Sequence, residues 1–520
     1  MQVRFLIIWF FTSILLGNVS FAQKLLPVRI EVPGDLDVES YHVELLGEQG
    51  VMVYYQTSET DEKGNVFWDF ALLDKKLKQK WIKSVPLGRT LLLSSVTQDE
   101  GKVYFLFKNH EKVSRDYDIY EIVIFNKKNE HFTNVSGSIP YKSDIAGFKV
   151  IMNTACIGLK LINQKADLAF VDLVSGAIKP VHLDEENSAL IETLHVDIET
   201  KQFYLVVKYY NSVTFFKDII YAYDRTGKEL NKLTVEYPDN KKLPRNYSFA
   251  SISKSSLTLL GTYDLITAKR PSWNSISEYE NPEDETLTAG IFYLNFINGK
   301  QKKLFFYDFT KFDNTYSSSH GKEVHVYKNS SDNSRLVNVF YRVGAPEIVN
   351  LGDETVLYVE LFKPVYKTET RMDYDFYGRQ YPITYQVFDG YEYYDVIFAG
   401  ISPDGNLLWN NDFSIDNLKS NSLDNHVIAV ADKQLLTMAY VNNGKIVSQT
   451  FDKDYDLSEK ESTPLETVFA KDQVIQDENN KIKYWYNDYY LVYGYQKLKN
   501  RSLEDKSNRT VFFINKIAFK

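Results

Sequence analysis

Cysteine is almost absent from this sequence. Cys156 is the only one, so an intramolecular disulfide is impossible, and no cysteine near the N-terminus could carry a lipid. After the first segment no apolar run approaches the length of a transmembrane helix, so no transmembrane anchor is predicted. The formal net charge is -9, and removing residues 1–22, where Arg4 is the only charged side chain, would make it -10. A nucleic acid or an anionic membrane is therefore not expected as a partner.

Catalytic and metal-binding motifs are equally scarce. The sequence has no G-x-S-x-G elbow, no H-E-x-x-H helix, no glycine-rich phosphate loop and no paired cysteines. His320 and His325 have the wrong spacing for a zinc site, and we expect them in a surface loop. Asp452, Asp454 and Asp456 alternate as calcium ligands can, but the glycine and glutamate of an EF-hand loop are missing, which favours a solvated turn. No catalytic residue, metal or cofactor is predicted.

The first 22 residues have the three parts of a secretory signal peptide. Arg4 gives a short basic start, residues 5–16 are apolar, and Ser20-Phe21-Ala22 forms a small-x-small cleavage site. The apolar run is too short to cross a bilayer comfortably. We expect a mature chain that begins at Gln23 and is secreted or periplasmic, and the lack of disulfides suggests a bacterial periplasm or exterior.

Strand-forming patterns dominate the rest of the chain. Tyr (38) and Phe (33) are abundant, and β-branched residues cluster in short alternating runs, whereas no long helical periodicity is visible. Seven hairpins with tight polar turns recur, among them "VFWDFALLDKKLKQKWI", "IIYAYDRTGKELNKLTV" and "VIFAGISPDGNLLWNNDF". Each follows two further strand-like runs, so the unit is a four-stranded meander. Four-stranded units in tandem predict an all-β chain, specifically a β-propeller of antiparallel blades.

The two ends of the chain favour eight blades over seven. An eighth unit, "KIKYWYNDYYLVYGYQKL" followed by "RTVFFINKIAF", ends before its fourth strand, and the N-terminal "LLPVRIEV" is a strand without a unit. Pairing the first strand with the last would close the ring and remove an exposed sheet edge. We therefore predict one propeller domain over residues 23–520, with long insertions at 267–289, 310–335 and 367–391. A two-sheet sandwich is the alternative, and it would not readily explain so many tandem hairpins.

Two turn sequences resemble those of known propeller families. "AYDRTGKEL" resembles the A-x-D-x-x-T-G-K-x-x-W repeat of quinoprotein-type propellers, with one residue fewer between Asp and Thr and no Trp. In "SPDGNLLW", Ser402, Asp404 and Trp409 match the Asp box of sialidase-like propellers, with Asn406 at the expected Gly position. In those families both motifs mark the turn between the third and fourth strands of a blade. The resemblance therefore implies a β-propeller and no particular chemistry.

Loop lengths distinguish the two faces of the predicted ring. In an up-and-down blade, the connections from second to third strand and those between blades open on one face, and the other turns open on the opposite face. The insertions 267–289, 310–335 and 367–391 are all connections from second to third strand or between blades, so they share one face, which we call the long-loop face. Long excursions cost ordering entropy and are usually functional or disordered. Binding is therefore expected on the long-loop face.

Nine residues on or near this face are predicted to bind a ligand: Trp273, Tyr279, Glu360, Tyr374, Tyr377, Arg379, Tyr381, Tyr385 and Tyr391. Aromatic and arginine side chains dominate binding hot spots, although the tyrosines of 367–391 could instead form a small core beneath a long hairpin. Glu360 alternates with the apolar residues Tyr358 and Phe362, and a carboxylate buried there would mark a functional site. The favoured interpretation is a strand-end glutamate that reaches solvent beside Lys363.

Two functions agree with these features. The first is a secreted, monomeric, non-catalytic propeller that binds a protein or glycan partner on the long-loop face. The alternative is a carbohydrate-active hydrolase or lyase with carboxylates and aromatics at the ring mouth. A quinoprotein oxidoreductase ranks third, because repeated Trp motifs and a disulfide are missing. Two carboxylates about 5 to 9.5 Å apart at the ring mouth would favour a glycosidase, whereas an isolated Glu360 would favour binding.

Overall fold

The computed structural model describes thirteen ranges of the chain: residues 28–36, 40–99, 101–111, 114–162, 164–183, 188–212, 215–238, 241–265, 287–312, 323–328, 335–469, 471–500 and 508–518. These residues form antiparallel strands and contain no α-helix, and their only helical segments are 3-10 turns at Gly47–Gln49 and Phe309–Lys311. No helix in the described ranges has the length and apolarity needed to cross a membrane. The prediction of an all-β chain is confirmed.

The strands form eight antiparallel sheets in chain order, and each has four strand positions. Sheet 1 contains β2 (His42–Leu45), β3 (Val51–Thr60), β4 (Val66–Leu73) and β5 (Gln79–Leu87). Sheet 2 contains β6 (Leu91–Gln98), β7 (Lys102–Asn109), β8 (Tyr117–Asn126) and β9 (His131–Pro140). Sheet 3 contains β10 (Asp144–Ile151), β11 (Thr154–Lys160), β12 (Ala166–Asp172) and β13 (Ile178–Leu183). Sheet 4 contains β14 (Ser188–Asp197), β15 (Gln202–Ser212), β16 (Phe215–Tyr223) and β17 (Glu229–Thr234).

The second half of the chain repeats this arrangement with additions. Sheet 5 contains β18 (Lys242–Ile252), β19 (Ser256–Leu265), β20 (Thr288–Ile297) and β21 (Lys300–Asp308), and a hairpin of β22 (Glu323–Lys328) and β23 (Arg335–Phe340) follows it. Sheet 6 contains β24 (Arg342–Val343), β25 (Glu347–Leu351), β26 (Glu354–Tyr374), β27 (Gln380–Ile401) and β28 (Leu407–Ser420). Sheet 7 contains β29 (Ile428–Asp432), β30 (Leu435–Asn442), β31 (Lys445–Asp452), β32 (Tyr455–Asp456) and β33 (Glu461–Pro464). Sheet 8 contains β34 (Gln473–Tyr486), β35 (Tyr489–Lys499), β36 (Arg509–Ala518) and β1 (Val28–Pro33).

Eight hydrophobic clusters lie between neighbouring sheets, one for each successive pair. The eighth cluster joins sheet 8 to sheet 1 and includes the buried side chains Leu491, Phe512 and Val51. Each sheet is thus apolar on both faces, which explains the abundance of Tyr and Phe, because two packed faces need large side chains. The architecture is propeller-like.

The first and last strands pair with each other, as predicted. β1 lies antiparallel to β36, from Val28 opposite Lys516 to Pro33 opposite Val511. Arg509 of β36 adds ion pairs to Glu31 of β1 at 3.0 Å and to Asp472 at 2.5 Å. The N-terminal strand therefore completes the fourth position of sheet 8.

One turn recurs between strands and accounts for the sequence motifs. At Asp74, Asp224 and Asp375, carboxylate Oδ1 accepts the backbone N–H groups two and four residues further on. The fourth residue of the turn has a positive φ, which is 67° at Gly227 and 73° at Gly378, and glycine adopts this conformation without strain. The D-x-x-G pattern of the Asp224 and Asp375 turns thus follows from the turn geometry, whereas Leu77, with a φ of 56°, takes the same position in the Asp74 turn.

The predicted insertion boundaries need correction. Thr288 and Ala289 belong to β20, and residues 323–328 form β22, so His325 lies in a strand while His320 falls outside the described residues. Residues 367–391 do not leave the sheet as a loop, because they continue β26 and β27. Their alternation of side chains is that of a strand pair, and the tight Asp375 turn joins the two strands.

Candidate functional site

A two-stranded ribbon projects from sheet 6 on the long-loop face. β25 and β24 pair with β26 only as far as Phe362, and β28 pairs with β27 only from Tyr391 onward. Between these limits β26 and β27 pair with each other, up to Tyr374 opposite Gln380. We call residues 366–388 the arm. At about 3.3 Å per residue the arm extends roughly 25 Å beyond the sheet.

The arm carries most of the predicted binding residues, and they are exposed. Tyr374 is 62% exposed, Tyr377 80%, and the neighbouring Phe376 97%. Tyr381 and Tyr385 are also exposed, so a small core beneath the hairpin is the wrong interpretation for these tyrosines. A two-stranded ribbon has no second layer against which to bury them.

Arg379 also belongs to the arm and lies at its tip, with its guanidinium 5.8 Å from the centre of the Tyr377 ring. Tyr391 is half-buried at the base of the arm, where its ring packs edge-on against Phe362 at 5.4 Å. Trp273 and Tyr279 lie outside the described residues, so their role stays a prediction.

A cleft of about 450 Å³ opens beside the base of the arm. Residues 417–421 of sheet 6, 441–443 of sheet 7 and 476–480 of sheet 8 line it, together with Asp389 and His426. Six asparagines and one glutamine are among the lining residues, and we call it the amide cleft. Because strand ends and turns of three sheets meet here, amide side chains converge that are far apart in the sequence.

Two buried polar atoms at the amide cleft have no hydrogen-bond partner. They are Nε2 of His426, which is 4% exposed, and Oδ1 of Asn480, which is 8% exposed. Burial lowers the pKa of His426 to about 4, so the ring is neutral at pH 7. Buried polar atoms nearly always have partners. Both atoms are shielded from solvent, and Asn480 Oδ1 lies against the backbone of Gly494, so they belong to the wall behind the cleft surface.

A bulge in β34 sets the position of Asn480. The register between β34 and β35 shifts between Glu478 and Lys481, so the backbone bends at Asn479, whose φ is 51°. Gly494 on β35 faces this bend, and a Cβ there would lie 2.9 Å from Cα of Asn480. The missing side chain at Gly494 lets the bulge fold towards the cleft.

The cleft lining is acidic. Asp389, Asp477 and Glu478 contribute three carboxylates, against one ammonium at Lys419. Asp477 Oδ2 accepts the Gly444 backbone N–H at 2.7 Å, and burial raises the pKa of this carboxyl group. The cleft therefore offers hydrogen-bond acceptors and a negative potential, which disfavour an anionic ligand.

Glu360 is fully buried, so the strand-end interpretation is wrong. One carboxylate oxygen accepts the backbone N–H groups of His426 and Val427, each at 2.7 Å, and the side chain is 1% exposed. Burial, opposed by the hydrogen bonds from Val427 and His426 and assisted by the nearby carboxylates of Glu347 and Asp424, raises the pKa of Glu360 to about 8. Glu360 does not line the amide cleft. Its contacts instead fix the segment that carries His426.

A second buried polar cluster joins sheets 4 and 5. Lys208 is fully buried, with its ammonium 3.3 Å from Glu192 and 3.4 Å from Asp218. The hydroxyl groups of Tyr237 and Tyr247 both donate to Asp218, and burial raises the pKa of this carboxyl group. The cluster bonds β15, β16 and β18 to one another, so its direct effect is to hold the two sheets together.

Comparisons with known proteins give no family. No protein-family model matches the chain, and no curated protein is similar to it. Among solved structures, polysaccharide lyase Uly1 aligns at a TM-score of 0.38 with 8% identity, over 82% of this chain and 90% of that chain. The Pyrococcus horikoshii acylaminoacyl peptidase aligns at a TM-score of 0.31 with 11% identity, over 81% of this chain and 52% of that chain. A puromycin-hydrolyzing peptidase from Mycobacterium tuberculosis aligns at a TM-score of 0.32 with 9% identity, over 88% of this chain and 58% of that chain.

Proposed function

We propose that this chain is a secreted, non-catalytic β-propeller that binds a neutral glycan in the amide cleft. The observation that carries the proposal is the convergence of six asparagines and one glutamine from three sheets on a single cleft of about 450 Å³. A volume of this size is typical of small-ligand sites. The long-loop face therefore has a binding function, as the loop lengths also suggest.

The chemistry of the lining favours a neutral sugar over other ligands. Each amide side chain offers both donors and acceptors, which match sugar hydroxyl groups that donate and accept. Three carboxylates against one ammonium at the cleft disfavour uronate or sulfated chains. Exposed tyrosine rings on the adjacent arm, such as Tyr385, add apolar surface for the faces of further sugar units.

We further propose that the eight sheets are blades of one closed ring over residues 23–520. This proposal is supported by the cluster between sheet 8 and sheet 1 and by the pairing of β1 with β36. A closed ring leaves no long sheet edge exposed, so it would give the cleft a rigid frame.

Replacing His426 should test the cleft directly. In His426→Leu the side chain keeps its bulk and the backbone N–H to Glu360, but Nε2 is lost. We expect binding of neutral oligosaccharides, first ranked on a glycan array and then measured by calorimetric titration, to weaken about tenfold, as loss of one buried hydrogen bond predicts. Gln476→Ala, at the exposed rim, should weaken it less.

A matched control is available in His131→Leu, because His131 is exposed in β9 of sheet 2. This variant should bind as tightly as the unchanged protein. Equal binding by all three variants, or a preference for anionic over neutral oligosaccharides, would contradict the proposed glycan site.

A hydrolase is the second candidate, because Asp389, Asp477 and Glu478 place several carboxylates at one cleft. Glycosidases need two carboxyl groups, one with a raised pKa, and burial raises the pKa of Asp477. Release of reducing ends from a bound neutral polysaccharide, abolished by Asp477→Asn, would establish this candidate in place of simple binding.

Secretion is also part of the proposal. The leader pattern in residues 1–22 predicts cleavage after Ala22. Intact mass of the protein recovered from the periplasm or medium should correspond to a chain that begins at Gln23. Recovery of a mature protein that still contains residues 1–22 would refute this prediction.

A further inference from the structure

The two long edges of the arm differ. Within the described residues no strand pairs with the outer side of residues 367–374 of β26. The outer edge of β27 contains Pro382, which has no N–H to donate and therefore blocks strand addition. In the part of the chain that the structure describes, the β26 edge is therefore the edge of the arm that is open to a further strand.

The open edge carries its charges in a regular order. Lys367, Glu369, Arg371 and Asp373 alternate in sign along one face of β26, since successive side chains point to opposite faces. The opposite face of the arm has no charged residue: it holds Tyr366, Thr368, Thr370, Met372 and Tyr374 on β26 and Gln380, Pro382, Thr384, Gln386 and Phe388 on β27. The strand at the open edge, β26, thus has its charged residues on one face of the arm and uncharged residues on the other.

We propose that β26 pairs antiparallel with β26 of a second copy of this chain, about a twofold axis at Thr370. In this register Lys367 lies opposite Asp373 of the second copy, and Glu369 lies opposite Arg371 of the second copy. Twofold symmetry repeats both contacts, so each of the four charges, which already pairs along its own strand, also meets an opposite charge of the second copy. Displacing the register by two residues places like charges opposite each other, and displacing it by four residues keeps only one of the two opposite-charge contacts. The charge order therefore favours this register.

The same register suits the uncharged face. Tyr366 lies opposite Tyr374 of the second copy, and Thr370 lies opposite Thr370 of the second copy. Both are favourable cross-strand pairs. The two ribbons together form a four-stranded sheet, which is more stable in water than an isolated two-stranded hairpin. The arm is then a dimerisation element, whereas the sequence alone suggests a monomer. The pairing does not depend on the proposed glycan cleft.

Charge reversal tests the pairing. The mature chain should sediment as a dimer at micromolar concentration and dissociate on dilution or in high salt. Glu369→Arg places like charges opposite each other at both symmetric contacts, and so does Arg371→Glu. Each change should raise the dimer dissociation constant by about tenfold. The double variant, and an equimolar mixture of the two single variants, restore every opposite-charge pair and should restore the dimer.

Two controls keep the result decisive. Lys76→Glu reverses an exposed charge in the turn between β4 and β5 and should leave the dimer unchanged. Replacing residues 368–386 by Asn-Gly shortens the arm to a two-residue turn, and this protein should be a monomer with an unchanged melting temperature. A monomeric parent protein at all concentrations, a double variant as weak as the single ones, or a dimer that survives removal of the arm would overturn the proposal.

Discussion

A chain that ends at residue 508, and so lacks β36, should aggregate and fail to give a cooperative unfolding transition. β36 lies between β1 and β35, and it buries Val511, Phe512, Phe513 and Ile514. At about 1.5 to 3 kcal/mol for each buried side chain, their loss removes roughly 6 to 12 kcal/mol. That amount is comparable to the whole stability of a typical domain, about 5 to 15 kcal/mol.

Size-exclusion chromatography and thermal unfolding would measure this effect. Removing only residues 519–520, which follow β36, is the matched control and should leave both properties unchanged. Phe512→Ala keeps the strand but loses the stacked contact with Tyr41 at 5.0 Å, and it should destabilise the protein by about 3 to 5 kcal/mol. A truncated chain that remained monomeric with the same melting temperature would show that sheet 8 does not need its last strand.

The sheets and turns of this protein could be predicted from its sequence because both follow local rules. Hairpins such as "IIYAYDRTGKEL" combine alternating apolar residues with a turn that Asp224 closes through its own side chain. Period-two alternation also places Glu360 among apolar neighbours, but the interpretation favoured from the sequence, a strand-end glutamate that reaches solvent, was wrong. The local sequence pattern does not show whether such a carboxylate is buried and accepts hydrogen bonds from distant backbone N–H groups.

The sequence of the arm contains a strand pattern that is easily mistaken for a loop. Its length and aromatic content are typical of a loop insertion, yet "KTETRMDY" alternates polar and charged residues with a strand period. Because none of the described residues forms a second layer over the ribbon, the usual apolar and polar alternation of a half-buried strand is missing. Charge alternation from Lys367 to Asp373 is the signal that distinguishes this strand from a loop.

The amide cleft could not be predicted from the sequence. Its walls come from residues 417–421, 441–443 and 476–480, and each segment alone has the composition of an ordinary turn. The bulge at Asn479 and the open position at Gly494 are properties of strand pairing. His426 is a single histidine outside any motif, and only packing reveals that its ring is buried at the cleft.

Glu360→Gln should remove a large pH dependence from the stability of the protein. Glu360 has a pKa of about 8 in the folded chain, against 4.5 for an ordinary glutamate. Between these values the folded state keeps a proton that the unfolded state has released, so stability falls as pH rises. The stabilising contribution is complete below pH 4.5 and is lost by about pH 8, and the total change is on the order of 5 kcal/mol.

The glutamine variant isolates this effect, since its amide oxygen can accept the same two N–H groups without ionising. His426 titrates in the opposite direction: its stabilising contribution is present above pH 6.5 and is lost as pH falls to about 4. Denaturant unfolding should give the free energy of unfolding of the parent protein and of Glu360→Gln at each pH. His426 contributes equally to both values, so its contribution cancels in their difference. The two should be similarly stable at pH 4.5, and the variant should be the more stable at pH 8.

Glu360→Ala separates the hydrogen bonds from the charge. Without a side-chain acceptor, the backbone N–H groups of His426 and Val427 are left buried without a partner, at a cost of about 1 to 3 kcal/mol each. This variant should therefore be less stable than Glu360→Gln at every pH, while its dependence on pH resembles that of Glu360→Gln. If both variants were as stable as the parent protein at pH 4.5 and at pH 8, Glu360 would neither hold the His426 segment nor carry a proton.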